Sequence, residues 1–276
     1  ATLPDFEKDA TDRNRTSPFA FTNNKFEFRM VGSSDSIASP NIVLNTIVAE
    51  SFKEAANELE NASDFDEAVH DMIKRLFSEH RRIIFNGNGY SNEWVEEAKR
   101  RGLSNLPSMI DAIPALVSDN AVKSFEEFEV FTRKELESRV EIEYEAYSKA
   151  INIEAKTMID IAGKSIIPAV IRYTTRLADS IIKLKAAIDG IEPYAQNAIL
   201  LEVNEHLKEA KVEIENLKRH MDKVAEISGV TEHARYMHEV VVPAMEALRK
   251  PIDTLEMIVD KDLWPMPSYG DLLFEV

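Results

Sequence analysis

Charged side chains recur at every second position in a short segment near the start of the chain, at Lys25, Glu27 and Arg29. The residues between them are apolar. Because side chains of a β-strand point alternately to opposite faces, this pattern predicts a strand over 25–30 with the three charges on one face. Such a face is either a solvated surface or the wall of a site in which Glu27 binds a metal ion and the basic side chains bind anions. The alternation by itself favours the solvated surface.

The composition excludes several classes of function. Lysine and arginine total 33 against 49 acidic residues, a net charge of −16, which argues against binding to nucleic acid or to an anionic membrane. The absence of cysteine excludes disulfides and thiolate metal sites. No apolar run approaches the length of a membrane span, and residues 1–20 lack the apolar core of a signal peptide. We therefore expect a cytoplasmic protein with neither nucleic acid nor membrane as a partner.

The distribution of glycine divides the chain. Four of the eight glycines lie within the first 102 positions, and the remaining 174 residues carry the other four. This shift predicts an α+β, predominantly α protein in which a mixed segment is followed by a helical one. We place the mixed segment at 1–106, a helical bundle at 107–262, and a tail at 263–276 that packs back on the fold.

Capping residues and prolines predict the individual elements. Ser39 as N-cap and Pro40 at the first helical position predict a helix to about residue 61, and Ser91 caps a short helix. A capping box at Thr132 starts a helix of some 55 residues, roughly 80 Å long, which Pro168 should kink. Further helices are predicted at 65–80, 193–227 and 231–260, and a short strand at 83–85. Long helices joined by short loops predict an antiparallel bundle.

Several segments resemble one enzyme family. The first is Asn14-Arg-Thr-Ser-Pro18, followed by Lys25-Phe-Glu-Phe-Arg29 and a helix that opens with Ser39-Pro-Asn41. Together they resemble the end of a glutamine synthetase active site. Segments of the large type III branch are matched as well, and they lie at 28–45, 82–90, 151–155 and 263–271. The resemblance runs from end to end, and its most specific part is the motif near residue 14. It implies that 1–106 is the end of a catalytic domain.

The resemblance implies a role for each charged residue of the motif. Glu27 matches a ligand of Mg²⁺ or Mn²⁺ near the transferring phosphoryl group, and hard cations prefer such oxygen ligands. Arg29 matches the arginine that meets the substrate carboxylate and the phosphoryl intermediate. Arg15 matches a second arginine that lines the glutamate and γ-phosphate end. Planar bidentate contact with carboxylate or phosphate suits arginine. Lys25 matches a basic position that faces nucleotide phosphates as a point charge.

One position departs from the family pattern. Better-studied branches carry a further arginine five residues after the first, and here Ala20 stands in its place. Either Arg13 or a residue outside this chain compensates, or the nucleotide end of the site is built differently.

The implied reaction is a ligation in two steps. ATP phosphorylates the γ-carboxylate of glutamate, and ammonia then displaces phosphate to give glutamine. Members of the family assemble as homo-oligomers of stacked rings. One carboxylate cannot hold two or three metal ions, so we expect the other ligands to precede residue 1. The chain then reads as the C-terminal piece of a longer protein and should be inactive alone.

Two other functions remain open. Residues 132–260 carry bundle periodicity and no catalytic constellation, which is typical of a non-catalytic assembly or interaction module. A related carboxylate–amine ligase with another donor or acceptor is a third hypothesis, because a shared fold does not determine the substrate. The charged run 202–223 is most simply a solvated helix face, with a partner-binding coiled coil as the alternative. Asn86-Gly-Asn-Gly89 is more typical of a turn than of a phosphate loop.

Overall fold

We describe the chain from a computed structural model. The structure describes residues 19–21, 26–28, 36–85, 88–89 and 91–274. The chain forms two compact units, Ala1–Leu136 and Glu137–Val276. Among the helices of residues 36–85 and 91–274, none combines the length and the apolarity that a membrane span requires.

In the first unit, the described residues form a two-stranded hairpin and five α-helices. Strand β1 pairs antiparallel with β2, and two short 3₁₀ helices lie at Arg81–Ile83 and Ile113–Val117. The bounds are β1 Phe19–Phe21, β2 Phe26–Phe28, α1 Ala38–Leu59, α2 Phe65–Glu79, α3 Asn92–Arg100, α4 Met109–Ala112 and α5 Asp119–Glu127.

Side-chain caps define most helix starts in this unit. The side chain of Asp64 accepts a hydrogen bond from the backbone N–H of Glu67 at the start of α2. Ser91 does the same for α3, which confirms the predicted cap. These contacts satisfy amide groups that have no partner within the helix. The predicted start of α1 was wrong: the helix begins at Ala38, so Ser39 lies inside its first turn instead of capping it.

The predicted strand at 83–85 was also wrong. Residues Arg81–Ile83 form a 3₁₀ helix instead. The Arg101 guanidinium donates from Nη1 to the carbonyl oxygen of Ile84 over 2.8 Å and to that of Arg82 over 3.3 Å. A side chain thus satisfies these carbonyls, and the segment needs no strand partner.

Helices α1 and α5 are joined by an apolar cluster and two polar contacts, one of them a hydrogen bond that the Ser124 hydroxyl donates to the Glu50 carboxylate over 2.6 Å. Val122, Phe125 and the following Leu136 are buried, with residues of α1 packed against them. The Lys53 ammonium pairs with the Glu127 carboxylate over 2.6 Å.

The second unit is an antiparallel bundle of three long rods. The first rod begins at the capping box, in which the Thr132 N–H donates to Glu135 over 2.8 Å, as predicted. Loops of five or six residues connect the rods, too few to run back along a helix of 31 residues, so successive rods are antiparallel. The bounds are α6 Arg133–Ile161, α7 Ile167–Ala187, α8 Tyr194–Val224, α9 Val230–Tyr236, α10 Val242–Ile258 and the short α11 Tyr269–Phe274.

Two π-helical turns interrupt the first and third rods. They span Ala162–Ile166 and Met237–Val241, and each ends two residues before a proline, Pro168 or Pro243. A proline inside a helix has no N–H to donate and clashes with the carbonyl four residues earlier. A π-turn adds one residue at that point and changes the pairing of the carbonyls. The interruption predicted at Pro168 therefore takes the form of a π-turn.

The core of the second unit follows the contact between α8 and its two neighbouring rods. Leu217, Met237, Leu248 and Leu255 are at most 1% exposed. Leu263 and Trp264 of the tail pack against the part of this core that contains Leu255.

We expect Leu217→Ala to lower the free energy of unfolding by about 2–5 kcal/mol, because it leaves a cavity in the core. Leu201→Ala is the matched control, since Leu201 lies on the same helix and is 73% exposed. Its effect should stay within about 0.5 kcal/mol. Chemical denaturation followed by helical circular dichroism measures both. Equal losses in the two variants would contradict the packing described for α8.

Candidate functional site

Glu27, the predicted metal ligand, is the central residue of β2. The register of the hairpin pairs Phe19 with Phe28, Ala20 with Glu27, and Phe21 with Phe26. Of the strand predicted over 25–30, the structure describes Phe26–Phe28, and these three residues form a strand.

Ala20 lies directly across the ladder from Glu27. Residues paired in this way have Cα atoms about 4.5–5.5 Å apart. An arginine at position 20, as the family pattern leads one to expect, would thus be the cross-strand neighbour of the predicted metal ligand. Opposite charges at such positions attract each other. Alanine brings no positive charge to this pair of positions. Ala20, at which this chain differs from the family pattern, is therefore paired with the predicted metal ligand.

The three basic residues of the motif, Arg15, Lys25 and Arg29, lie outside the described residues. Covalent geometry alone keeps Lys25 and Arg29 within two residues of Glu27. Part of the predicted turn at Asn86-Gly-Asn-Gly89 also lies outside the description. Its described part includes the carbonyl of Asn88, which accepts a hydrogen bond from the N–H of Ser91 over 3.2 Å.

The donor set for a divalent metal is incomplete within the part of the chain that the structure describes. No group of three or more histidine, aspartate or glutamate side chains comes close enough there to hold an ion. Glu27 offers one carboxylate, whereas Mg²⁺ needs six oxygen ligands, some of them from waters and phosphates. The described residues therefore do not form a metal site by themselves.

Two tyrosine–histidine pairs in the bundle were not foreseen from the sequence. The Tyr147 hydroxyl lies 3.1 Å from Nδ1 of His238, and the Tyr236 hydroxyl lies 3.1 Å from Nδ1 of His220. Burial raises the pKa of Tyr147, and the nearby Glu154 carboxylate raises it further. The members of the first pair are 91 residues apart, so no local pattern could have found it.

A second cluster of polar and aromatic side chains lies on and around α3. The rings of Phe85 and Trp94 stack with centroids 3.9 Å apart, and the Arg101 guanidinium lies 5.5 Å from the Trp94 ring centroid. Glu97 accepts hydrogen bonds from both Arg100 and Arg101. We call these five residues the Trp94 cluster. It holds the chain immediately before Asn86 through the contact of Arg101 with the carbonyl of Ile84.

The charge state of the Trp94 cluster depends on Glu97. The hydrogen bonds from Arg100, and then those from Arg101, lower the pKa of the Glu97 carboxyl from 4.5 to about 2. The same contacts raise the pKa of Arg100. The cluster therefore contains a carboxylate and two guanidinium groups that stay charged across the neutral range.

A family comparison finds a match in the same region. Residues 68–185, which include α3 and the Trp94 cluster, match the glutamine synthetase C-terminal domain family. The match confirms the family resemblance drawn from the motifs.

Curated relatives match almost the whole chain. It is 39% identical over 279 residues to the type-3 glutamine synthetase of Dictyostelium discoideum, covering 99% of this chain and 38% of that protein. The chain is also 34% identical to the glutamine synthetases of Butyrivibrio fibrisolvens and Bacteroides fragilis, over 98% and 99% of its length. The chain spans about two fifths of the length of these relatives.

We expect Glu97→Gln to weaken the attachment of α3 near neutral pH, because an uncharged amide replaces a carboxylate that binds two guanidinium groups. The pKa of Glu97 is lower in the folded protein than in the unfolded chain. Its contribution to stability is therefore present above pH 4.5 and is lost as the pH falls toward 2. The variant should lose less stability than the parent between these two values.

Fluorescence of Trp94 in a Trp264→Phe background measures the attachment of α3 as a function of pH. Glu96→Gln is the matched control, because it removes the same charge from the neighbouring, exposed position on α3. A Glu97→Gln variant with the same pH profile as the control would show that the two arginine contacts contribute nothing.

Proposed function

We propose that this chain is part of a glutamate–ammonia ligase, a glutamine synthetase of type III. The observation that carries the proposal is identity of 34–39% with glutamine synthetases along 98–99% of the chain. The hairpin that contains Glu27 supports it, because the motif strand is formed where the family pattern requires one. The chain matches about two fifths of each relative, so the complete site draws on further sequence.

The proposed substrates are glutamate, ammonia and ATP. Conversion of the γ-carboxylate into an acyl phosphate replaces a poor leaving group with a good one, which ammonia then displaces. We assign Arg15 and Arg29 to the carboxylate and the transferring phosphoryl group, where two guanidinium groups offset negative charge. Lys25 is assigned to the nucleotide phosphates as a point charge.

Glu27 is the proposed ligand of Mg²⁺ or Mn²⁺ in this chain. A divalent ion bound there would neutralise charge on the phosphoryl oxygens. Because a single carboxylate does not hold such an ion, the other ligands come from beyond the described residues. The role of Glu27 itself is to present a carboxylate from a paired strand, where the backbone limits its position.

We further propose that 1–106 completes a larger catalytic domain. Phe52, Phe65 and Phe77 on α1 and α2 are 71%, 60% and 58% exposed. Large apolar side chains exposed together are typical of a surface that another part of a protein covers. The bundle 107–262 and the tail 263–276 complete the proposed organisation. We propose a homo-oligomer of stacked rings in the cytoplasm, without nucleic acid or membrane partners.

A second function, that of an assembly module, is favoured by the bundle. The second unit has its own core, and it exposes Ile182, Leu201 and Met257 by 65%, 73% and 86%. Such side chains suit contacts with another protein surface. Variants of the motif residues distinguish the two functions, because an assembly role does not require Glu27 or Arg29.

In the full-length protein, we expect Glu27→Ala and Arg29→Ala each to lower glutamine synthesis by at least about 100-fold, with the oligomer retained. The cause is loss of a metal ligand in one variant and of charge stabilisation in the other. Glutamine formation and size-exclusion chromatography measure the two properties. Glu96→Ala on α3 is the control. Unchanged activity in both motif variants would leave the assembly function as the better proposal.

We expect the 276-residue chain alone to have negligible ligase activity, because it lacks a complete set of metal ligands among its described residues. The γ-glutamyl hydroxamate assay measures this directly. The full-length protein assayed in parallel provides the reference. Comparable turnover by the isolated chain would contradict the proposal that the site is shared with further sequence.

A further inference from the structure

The second unit contains a cavity that the proposed ligase reaction does not use. Its volume is about 560 Å³, within the range of small-molecule sites. It lies between α6, the end of α8, the loop 225–229 and the start of α9. None of Arg15, Lys25, Glu27 and Arg29 belongs to this unit.

One wall of the cavity is polar and comes from a single face of α6. Ser148, Asn152 and Lys156 line it and follow one another at intervals of four residues. That spacing places them on the same side of the helix. Within residues 36–85, 88–89 and 91–274, neither the Asn152 amide nor the Lys156 ammonium has a side-chain hydrogen bond or an ion pair. The amide and ammonium groups of this wall can therefore donate hydrogen bonds to a ligand.

Ser148 provides an independent sign that this wall lacks a partner. The residue is 7% exposed, and its Oγ makes no hydrogen bond to any residue that the structure describes. Buried hydroxyl groups are nearly always hydrogen-bonded, so the exception calls for an explanation. An acceptor group bound at this wall would supply the missing bond.

The floor of the cavity is apolar. Met221 and Ile227 are half-buried and line the cavity together with the buried Val224 and Met237. Such a floor is suited to a branched aliphatic group, because contact with it removes the exposed apolar surface of Met221 and Ile227 from water. The Met221 side chain can adapt to the shape of such a group.

The charges around the cavity are of both signs. Lys149 forms an ion pair with Glu145 over 2.8 Å, so these two charges balance each other. Asp222 on α8 and Lys156 on α6 also line the cavity, and they do not form an ion pair with each other. Among the described residues, neither the Asp222 carboxylate nor the Lys156 ammonium has an ion-pair partner, so the pair suits a ligand that carries one charge of each sign.

We propose that this cavity binds a small zwitterion with an apolar side chain, that is, an apolar α-amino acid such as leucine. Its carboxylate accepts from Lys156, Asn152 and Ser148, and its ammonium group pairs with Asp222. The aliphatic group lies on the floor, against Met221 and Ile227. This is a binding site separate from the proposed substrate site.

Saturation-transfer NMR on the full-length protein, with glutamate at saturation, tests the class of ligand. Leucine should bind, while 4-methylpentanoate, which lacks the ammonium group, and isopentylamine, which lacks the carboxylate, should each bind about tenfold more weakly. Absence of leucine binding would overturn the proposal, and so would equal affinity for either analogue.

Variants locate the site. Lys156→Met and Asp222→Asn should each weaken leucine binding about tenfold, and Ser148→Ala should weaken it by a smaller factor. Lys156 and Asp222 are exposed, so their replacement leaves the bundle folded, which circular dichroism checks. Lys183→Met on α7 removes an exposed lysine that does not line the cavity and should leave binding unchanged. Full leucine affinity in the Lys156 and Asp222 variants would assign binding elsewhere and overturn the proposal.

Discussion

A proline within a long helix has no N–H to donate, and the rods of the bundle meet this constraint at Pro168, Pro243 and Pro251. Pro168 and Pro243 each follow a π-turn, and both π-turns contribute to the core: Ala162 and Val241 are buried in the same apolar cluster. Pro251 is buried inside α10. The rods therefore remain continuous where proline would otherwise break them. The contact of α8 with both neighbours depends on that continuity, because its buried residues, such as Leu217, need a partner at each level of the bundle.

The two units contain different candidate sites. The first contains the hairpin, in which Glu27 lies opposite Ala20, and the Trp94 cluster, which holds the chain before Asn86. The second contains its own core and a cavity with unused polar groups. Similarity to glutamine synthetases extends along both units, and the proposed reaction concerns the motif residues of the first.

Local signals predicted two of three helix starts; the exception is α1, which begins at Ala38 and is not capped by Ser39. The capping box at Thr132 and the cap at Ser91 were right, because each contact spans only three residues. The strand predicted at 83–85 was wrong because Arg101, more than fifteen residues away, supplies the hydrogen bonds that decide its conformation. At the candidate site, the alternation of charged and apolar residues predicted that Glu27 lies on a strand. It did not predict the register, which pairs Glu27 with Ala20.

The sequence by itself determined the long helices, their ends near Gly190 and Gly229, and the motif residues, since all of these act through neighbours along the chain. Only the tertiary structure decided which distant groups meet. The Tyr147–His238 pair joins residues 91 positions apart. The Ser148 hydroxyl finds no partner among the described residues, although buried hydroxyl groups are usually hydrogen-bonded. Such contacts depend on how rods pack against one another, and a periodic pattern states which face is buried without stating what it is buried against.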